Sequence, residues 1–199
     1  FRAALAQIAA ENGLFVVAGG WEASPQPGRA FNTLFVFSPQ GRLAAAYRKL
    51  HLFDALSMRE ADTLVPGGAL PPVIDCGGLR VGFAICYDLR FPELFRYLAD
   101  QGAQLVIVSA AWYQGIMKED HWLTLLRARA IENACYVAGC DLVGSPFCGR
   151  STLFDPFGVP LAGAGEEPAL ILGTVSAARV AAVREKLPAL NHRRRDLLG

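Results

Sequence analysis

The sequence predicts an α/β layered protein built around a mixed sheet. Strand-like and helix-like segments alternate along its 199 residues. Some strand pairs are joined by tight Gly- or Pro-containing turns, which means antiparallel hairpins. Others are separated by a stretch long enough for a crossover helix, which means parallel neighbours.

The elements follow in order. FRAALAQIAAEN reads as an amphipathic helix over about 2–12, closed by Gly13. LFVVAGGWEA is a strand, SPQPGR a turn, and FNTLFVFSPQGRLAAAYRKLHLF a hairpin turning at PQG. Residues 54–72 are polar with Pro and Gly, hence a loop. PPVIDCGGLRVGFAIC is a second hairpin turning at Gly77-Gly78, and FPELFRYLADQGA a helix with Pro92 in its first turn and Gly102 beyond its end. QLVIVSAAW reads as a buried strand, 113–118 as a loop, EDHWLTLLRARAIENA as a long helix and CYVAGCDLVG as a strand. RSTLFDPFGVPLAGAG is a hairpin turning at Pro156 and Gly158, and ALILGTVS is expected as the last strand. There is no repeat, linker or second composition, so residues 1–199 are expected to form a single domain.

Composition narrows the function. Hydrophobic residues make up 53% and charged ones 19%, with a net charge of +1, a globular balance that calls for neither nucleic acid nor an anionic membrane. The basic run NHRRRD is expected to be a solvated surface turn. No stretch approaches the roughly 18 uninterrupted apolar residues of a membrane helix. The N-terminal segment is broken by Gln7, Glu11 and Asn12, unlike an export signal. The five cysteines, Cys76, Cys86, Cys135, Cys140 and Cys148, are odd in number and lack CxxC spacing. That argues against a disulfide framework or a zinc site and for the cytoplasm, with most thiols acting as small buried hydrophobes.

Cys86 differs from the other four. It ends the apolar run VGFAI and enters a turn and then a helix, an economical way to expose a nucleophile beside backbone N–H groups able to hold an oxyanion. The dipole of the following helix is expected to favour thiolate. A buried core cysteine is the alternative reading of the same pattern. None of His51, His121 and His192 lies in a pattern that marks a Cys–His pair. Lys49, in YRKLHLFD, ends a strand that enters the core. Such a cation lowers a thiol pKa and stabilises an oxyanion; the alternative is a snorkelling surface lysine.

Taken together, YRKLHLFD, GFAICYDLRFPELFR, HWLTLLRARAIEN, GRSTLFDPFG and RRRDLL resemble, in order, the motifs of the nitrilase superfamily of carbon–nitrogen hydrolases, over essentially the whole chain. The resemblance implies an α-β-β-α sandwich, dimerisation, no cofactor and no metal. It implies Cys86 as nucleophile and Lys49, with the backbone N–H of Tyr87, as oxyanion stabiliser. Glu60, in SMREADTLVPGG, matches the family's further active-site glutamate, with an orienting or proton-relay role; a solvated loop acid is the alternative. Asp88, Arg90 and Glu93 would hold the turn through ion pairs, and Arg127, Arg129 and Glu132 would be structural or interface residues. Trp112, Tyr113 and His121 are candidate pocket walls. The wording around CYDLRFPE looks most like the ω-amidase and deaminated-glutathione-amidase branches, which act on small linear amides and release ammonia through a thioester. N-carbamoyl hydrolysis is the near alternative. A true nitrilase commonly has Trp-Glu where this chain has Tyr87-Asp88.

The sequence departs from the family at one point. The general-base glutamate is expected in a Pro-Glu motif upstream of Lys49, where this chain has only the acids Glu11 and Glu22. Both align after that motif. The departure leads to the expectation of an N-terminally incomplete fold lacking two strand–helix units, roughly 60 residues at about 30 per unit. Such a chain would be weak alone unless Glu60 substitutes. A non-catalytic binding or assembly module is the reading from another class.

Overall fold

A computed structural model describes residues 1–198. Helix α1 (Arg2–Asn12) ends at Gly13, whose φ of 63° supplies the left-handed cap a side chain would resist. Three strands follow, β1 (Val16–Ala23), β2 (Ala30–Phe37) and β3 (Leu43–Arg48), paired antiparallel in sequence order. The second sheet comprises β4 (Val73–Asp75), β5 (Arg80–Ile85), β6 (Leu105–Ala110), β7 (Tyr136–Asp141), β8 (Thr152–Phe154) and β9 (Pro160–Gly163), also in sequence order. Its centre, β5-β6-β7, is parallel and its flanks are antiparallel. The two parallel steps are crossed by α2 (Pro92–Asp100) and α3 (Lys118–Asn133); α4 (Ala177–Lys186) and α5 (Arg195–Leu198) complete the chain.

The layers follow from strand periodicity. Val81, Phe83 and Ile85 of β5 face the other sheet, meeting Leu34, Val36 and Tyr47. The intervening Gly82 and Ala84 face α2, where a Cβ on Gly82 would lie 2.9 Å from Leu98. A strand buried on both faces therefore reads as a continuous apolar run. Ala9 of α1 packs on Phe35 and Phe37 on the outer face of the first sheet. The result is α1, sheet, sheet, then α2 with α3, which is the expected α-β-β-α order.

Two expectations need correction. ALILGTVS forms no ladder, and Leu170 and Leu172 are 85% and 79% exposed. Its alternation is strand-like, but a strand exists only through a partner, and the segment crosses Leu153 at Gly173 without pairing. The NHRRRD run is also more than a solvated turn. Arg193 and Arg195 both bond the Asp100 carboxylate at the end of α2, tying the C-terminal segment to the body. Among the five thiols, Cys135 and Cys148 are buried, Cys76 and Cys86 half-buried, and Cys140 exposed. Among the described residues no helix is long and apolar enough to cross a membrane.

Candidate active site

The site forms where β5 runs out. Cys86 has φ 47°, a left-handed conformation unusual for a residue with a side chain. Strain of this kind persists only where its surroundings enforce it. The enforcing group is Asp88, 0% exposed. Its Oδ2 accepts the Tyr47 hydroxyl at 2.7 Å and the Ile85 N–H at 3.0 Å. Its Oδ1 lies 2.7 Å from His51 Nδ1 and accepts the His51 N–H at 3.2 Å. One carboxylate thus ties the Cys86 turn to the segment that follows β3. The expected ion pair with Arg90 does not form; Arg90 lies over the Trp112 ring, 4.9 Å from its centroid, and Glu93 is exposed on α2.

The turn itself is a 3-10 segment, Cys86–Arg90, and α2 begins only at Pro92. The expectation of an α-helix dipole at the thiol is therefore corrected: a separate tight turn intervenes. Tyr87 lies in its first turn, where N–H groups have no intrahelical acceptor. The far end is held by Arg129, whose Nε and Nη2 donate to the Leu89 carbonyl at 3.1 and 2.8 Å. Arg129 also pairs with Glu132, whereas Arg127 donates to the Gly158 carbonyl, so these helix charges have structural partners inside the chain.

Strand alternation turns Tyr47 and Lys49 inward together. Lys49 is 1% exposed, and its Nζ donates to Glu60 Oε2 at 2.5 Å. The same oxygen accepts the Phe53 N–H at 2.7 Å, so Glu60 is an anchored acid and not a solvated loop side chain. Burial pushes the Cys86 thiol up and the Lys49 charge pulls it down; Sγ lies 3.9 Å from the Ala111 carbonyl. Phe53, Glu60, Cys86, Tyr87, Ala111, Trp112, Tyr113 and Lys118 line a cavity of about 20 Å³, room for a single water.

Of the three candidate pocket walls, Trp112 and Tyr113 line this cavity and His121 does not. It is exposed on α3 with Nδ1 3.3 Å from Arg90 Nη2. The buried stripe of α3 runs Lys118, Trp122, Leu126, Arg129, Ala130 and Asn133, and His121 is one position off it. The same stripe exposes what sequence reasoning missed. Lys118, assigned to a loop, is 7% exposed; its Nζ sits 4.4 Å from the Trp112 ring centroid and 5.1 Å from that of Phe53. Counting back four residues from Trp122 would have found it. Glu22 and Glu11 lie elsewhere: Glu22 pairs with Arg48 and Thr33, and Glu11 accepts from Gln7. Among the described residues no three His, Cys, Asp or Glu side chains gather as a metal site requires.

The family model for carbon–nitrogen hydrolases matches residues 1–185. The chain belongs to the carbon–nitrogen hydrolase family. Among curated carbon–nitrogen hydrolases, the deaminated glutathione amidase of Escherichia coli O157:H7 is 45% identical over 168 residues, which cover 84% of this chain and 64% of the relative. The Caenorhabditis elegans NitFhit protein superposes with a TM-score of 0.93 at 32% identity, over 99% of this chain and 50% of that one. An amidase from Nesterenkonia sp. AN1, solved as a mutant carrying the acetamide moiety of fluoroacetamide on its active-site cysteine, superposes with a TM-score of 0.84 at 31% identity, over 99% of this chain and 71% of that one. The chain therefore spans between half and about seven-tenths of the length of these three proteins.

Proposed function

We propose that this chain carries the nucleophile, oxyanion site and proton relay of an amidase that hydrolyses a small linear amide. The observation that carries the reading is the strained Cys86 turn opening onto the buried Lys49–Glu60 pair. Cys86 Sγ forms a bond to the amide carbon and gives up its proton. Charge develops on the carbonyl oxygen, where the Lys49 ammonium and the Tyr87 N–H stabilise it. Glu60 is the only carboxylate among the cavity-lining residues. Its Oε2 is held by Lys49 and Phe53, which leaves Oε1 to pass the proton to the leaving nitrogen. Ammonia departs, and a thioester joins Cys86 to the acyl group. Water then adds to the thioester, the C–S bond breaks, a carboxylic acid leaves and the thiol regains its proton. A cysteine adduct in the Nesterenkonia amidase supports the covalent step, and the deaminated glutathione amidase supports the choice of an amide.

The test is ammonia release from a panel of short amides and N-carbamoyl acids by the full-length protein and by Cys86→Ala. Release that Cys86→Ala abolishes supports the reading. Release from the ureido acids alone moves the substrate to the N-carbamoyl class. A folded protein that releases nothing, with a Cys86 no more reactive to iodoacetamide than Cys135, indicates a binding module.

A further inference from the structure

Residues 47–53, YRKLHLF, alternate between two carboxylates. Tyr47 and His51 bond Asp88, whereas Lys49 and Phe53 bond Glu60. The four residues are not equally secured. Tyr47 is held in the β3 ladder opposite Leu34, whatever Asp88 does. Lys49 has its N–H on the Asn32 carbonyl at 2.8 Å and its carbonyl on the Gly67 N–H at 2.7 Å. Beyond it, residues 50–52 make no backbone–backbone bond among the described residues. The Leu50 N–H reaches the Tyr47 hydroxyl at 3.3 Å, and it is His51 that attaches this stretch to the Cys86 turn, through Asp88.

The His51 ring makes two contacts. Its Nδ1 lies 2.7 Å from Asp88 Oδ1. An ionised carboxylate only accepts, so Nδ1 carries the ring hydrogen. Its face stacks on Phe91, with centroids 3.6 Å apart and planes 9° from parallel. Phe91 meets Tyr87 edge-on at 5.3 Å, and Tyr87 meets Phe53 at 4.9 Å. His51 therefore opens a row of rings in which Tyr87 and Phe53 line the cavity. Its side chain is 28% exposed, so apolar burial is not what selects it. Among side chains with a flat ring, only histidine has a donor directly on Cγ, and both features are used here.

We infer that His51 is a positioning residue of this site: its Nδ1–H on Asp88 fixes residues 50–53 and, through the Phe53 N–H, sets the Glu60 carboxylate against Lys49 and Cys86. The inference rests on the amidase reading of Cys86 and adds to it a residue that acts without touching substrate, since His51 is not among the cavity-lining residues. Its bond to a buried carboxylate is charge-assisted and stronger than a neutral one. Loss of that bond should therefore appear in kcat, roughly ten- to hundredfold, with KM changed by less than about threefold.

The test separates the donor from the ring in the full-length protein. His51→Asn keeps an N–H donor on Cγ and loses the ring, whereas His51→Phe keeps the ring and loses the donor. His51→Gln, whose amide lies one carbon farther out, repeats the loss of the donor should phenylalanine disturb folding, which the thermal midpoint reports. Ammonia release from the panel of short amides gives kcat and KM, and iodoacetamide labelling of Cys86 against pH reads the site without turnover. The expected result is the kcat loss above in His51→Phe and a kcat within about fivefold of the unsubstituted protein in His51→Asn. Beyond burial, Lys49 pulls the thiol down and Glu60 pushes it up, so a displaced pair also moves the labelling midpoint in His51→Phe and leaves it in place in His51→Asn. An undiminished kcat in His51→Phe, an equal loss in both variants, or a KM that rises as kcat falls overturns the inference. So does a labelling midpoint that is the same in both variants. Ammonia release that does not depend on His51 sinks the positioning role alone, whereas a His51-dependent midpoint without release from any amide sinks the amidase reading alone.

Discussion

Replacing Asp88 with Asn changes almost no volume and removes one charge from the turn that carries Cys86. The carboxylate accepts four hydrogens, two from backbone N–H groups that cannot rotate away, Ile85 on Oδ2 and His51 on Oδ1. Whichever way an amide is placed, its NH2 faces one of those fixed donors. The Tyr47 hydroxyl or His51 Nδ1 on that side can reverse role and accept, but the backbone N–H cannot. One buried donor is left unsatisfied, at about 1–3 kcal/mol. The two bonds to the remaining oxygen fall from charge-assisted to neutral, at about 1 kcal/mol each. The expected loss is about 3–5 kcal/mol, a large share of the 5–15 kcal/mol typical of a domain. In urea the midpoint of the full-length protein should fall by at least about 1 M. A loss under about 1 kcal/mol would refute the reasoning, since it would mean that the Cys86 turn is not held by this carboxylate.

Two further predictions concern the thiols. Because burial raises the Cys86 thiol and Lys49 lowers it, iodoacetamide labelling of Cys86 in Lys49→Met should require higher pH than in the unsubstituted protein. An unchanged labelling profile would show that the lysine charge does not act on the sulfur. Cys135 is pushed up to about 12 by burial, with Arg184 and Arg96 pulling the other way, against 9.0 unfolded. The folded chain keeps a proton there that the unfolded chain releases, so this stabilisation is complete below about pH 9 and is lost as pH rises toward 12. The Cys135 contribution should steepen the alkaline loss of stability by up to about 1.4 kcal/mol per pH unit, measured as urea midpoints across pH 8–10.5. Cys135→Ala should flatten that slope, whatever it does to the absolute value.

What the sequence disclosed was local. The Gly77-Gly78 hairpin, the Pro92 start of α2 and the apolar run into Cys86 are each written within about ten consecutive residues, and each lies where it was expected. The strand alternation that buries Lys49 is equally local. The misses needed long-range information. ALILGTVS has the period of a strand, but only the topology decides whether a neighbour offers hydrogen bonds. Lys118 ends a segment that reads as a loop, next to the polar Glu119 and Asp120; its burial depends on Trp112 and on Phe53, which arrives from the other sheet's connecting loop. His121 is expected as a pocket wall, and the helical period that excludes it is the one that selects Lys118. Asp88 is expected in ion pairs on its own turn, yet its side-chain partners, Tyr47 and His51, are separated from it by 41 and 37 positions.

The central claim is that Cys86 becomes acylated by an amide, and peptide mass spectrometry reads that directly. The full-length protein is mixed with a short amide, quenched in acid within the first turnovers and digested. The account predicts an acyl adduct on the peptide containing Cys86, lost on further incubation as ammonia appears and absent from Cys86→Ala. Ammonia release with no adduct at Cys86, or with an adduct on another cysteine, would contradict it.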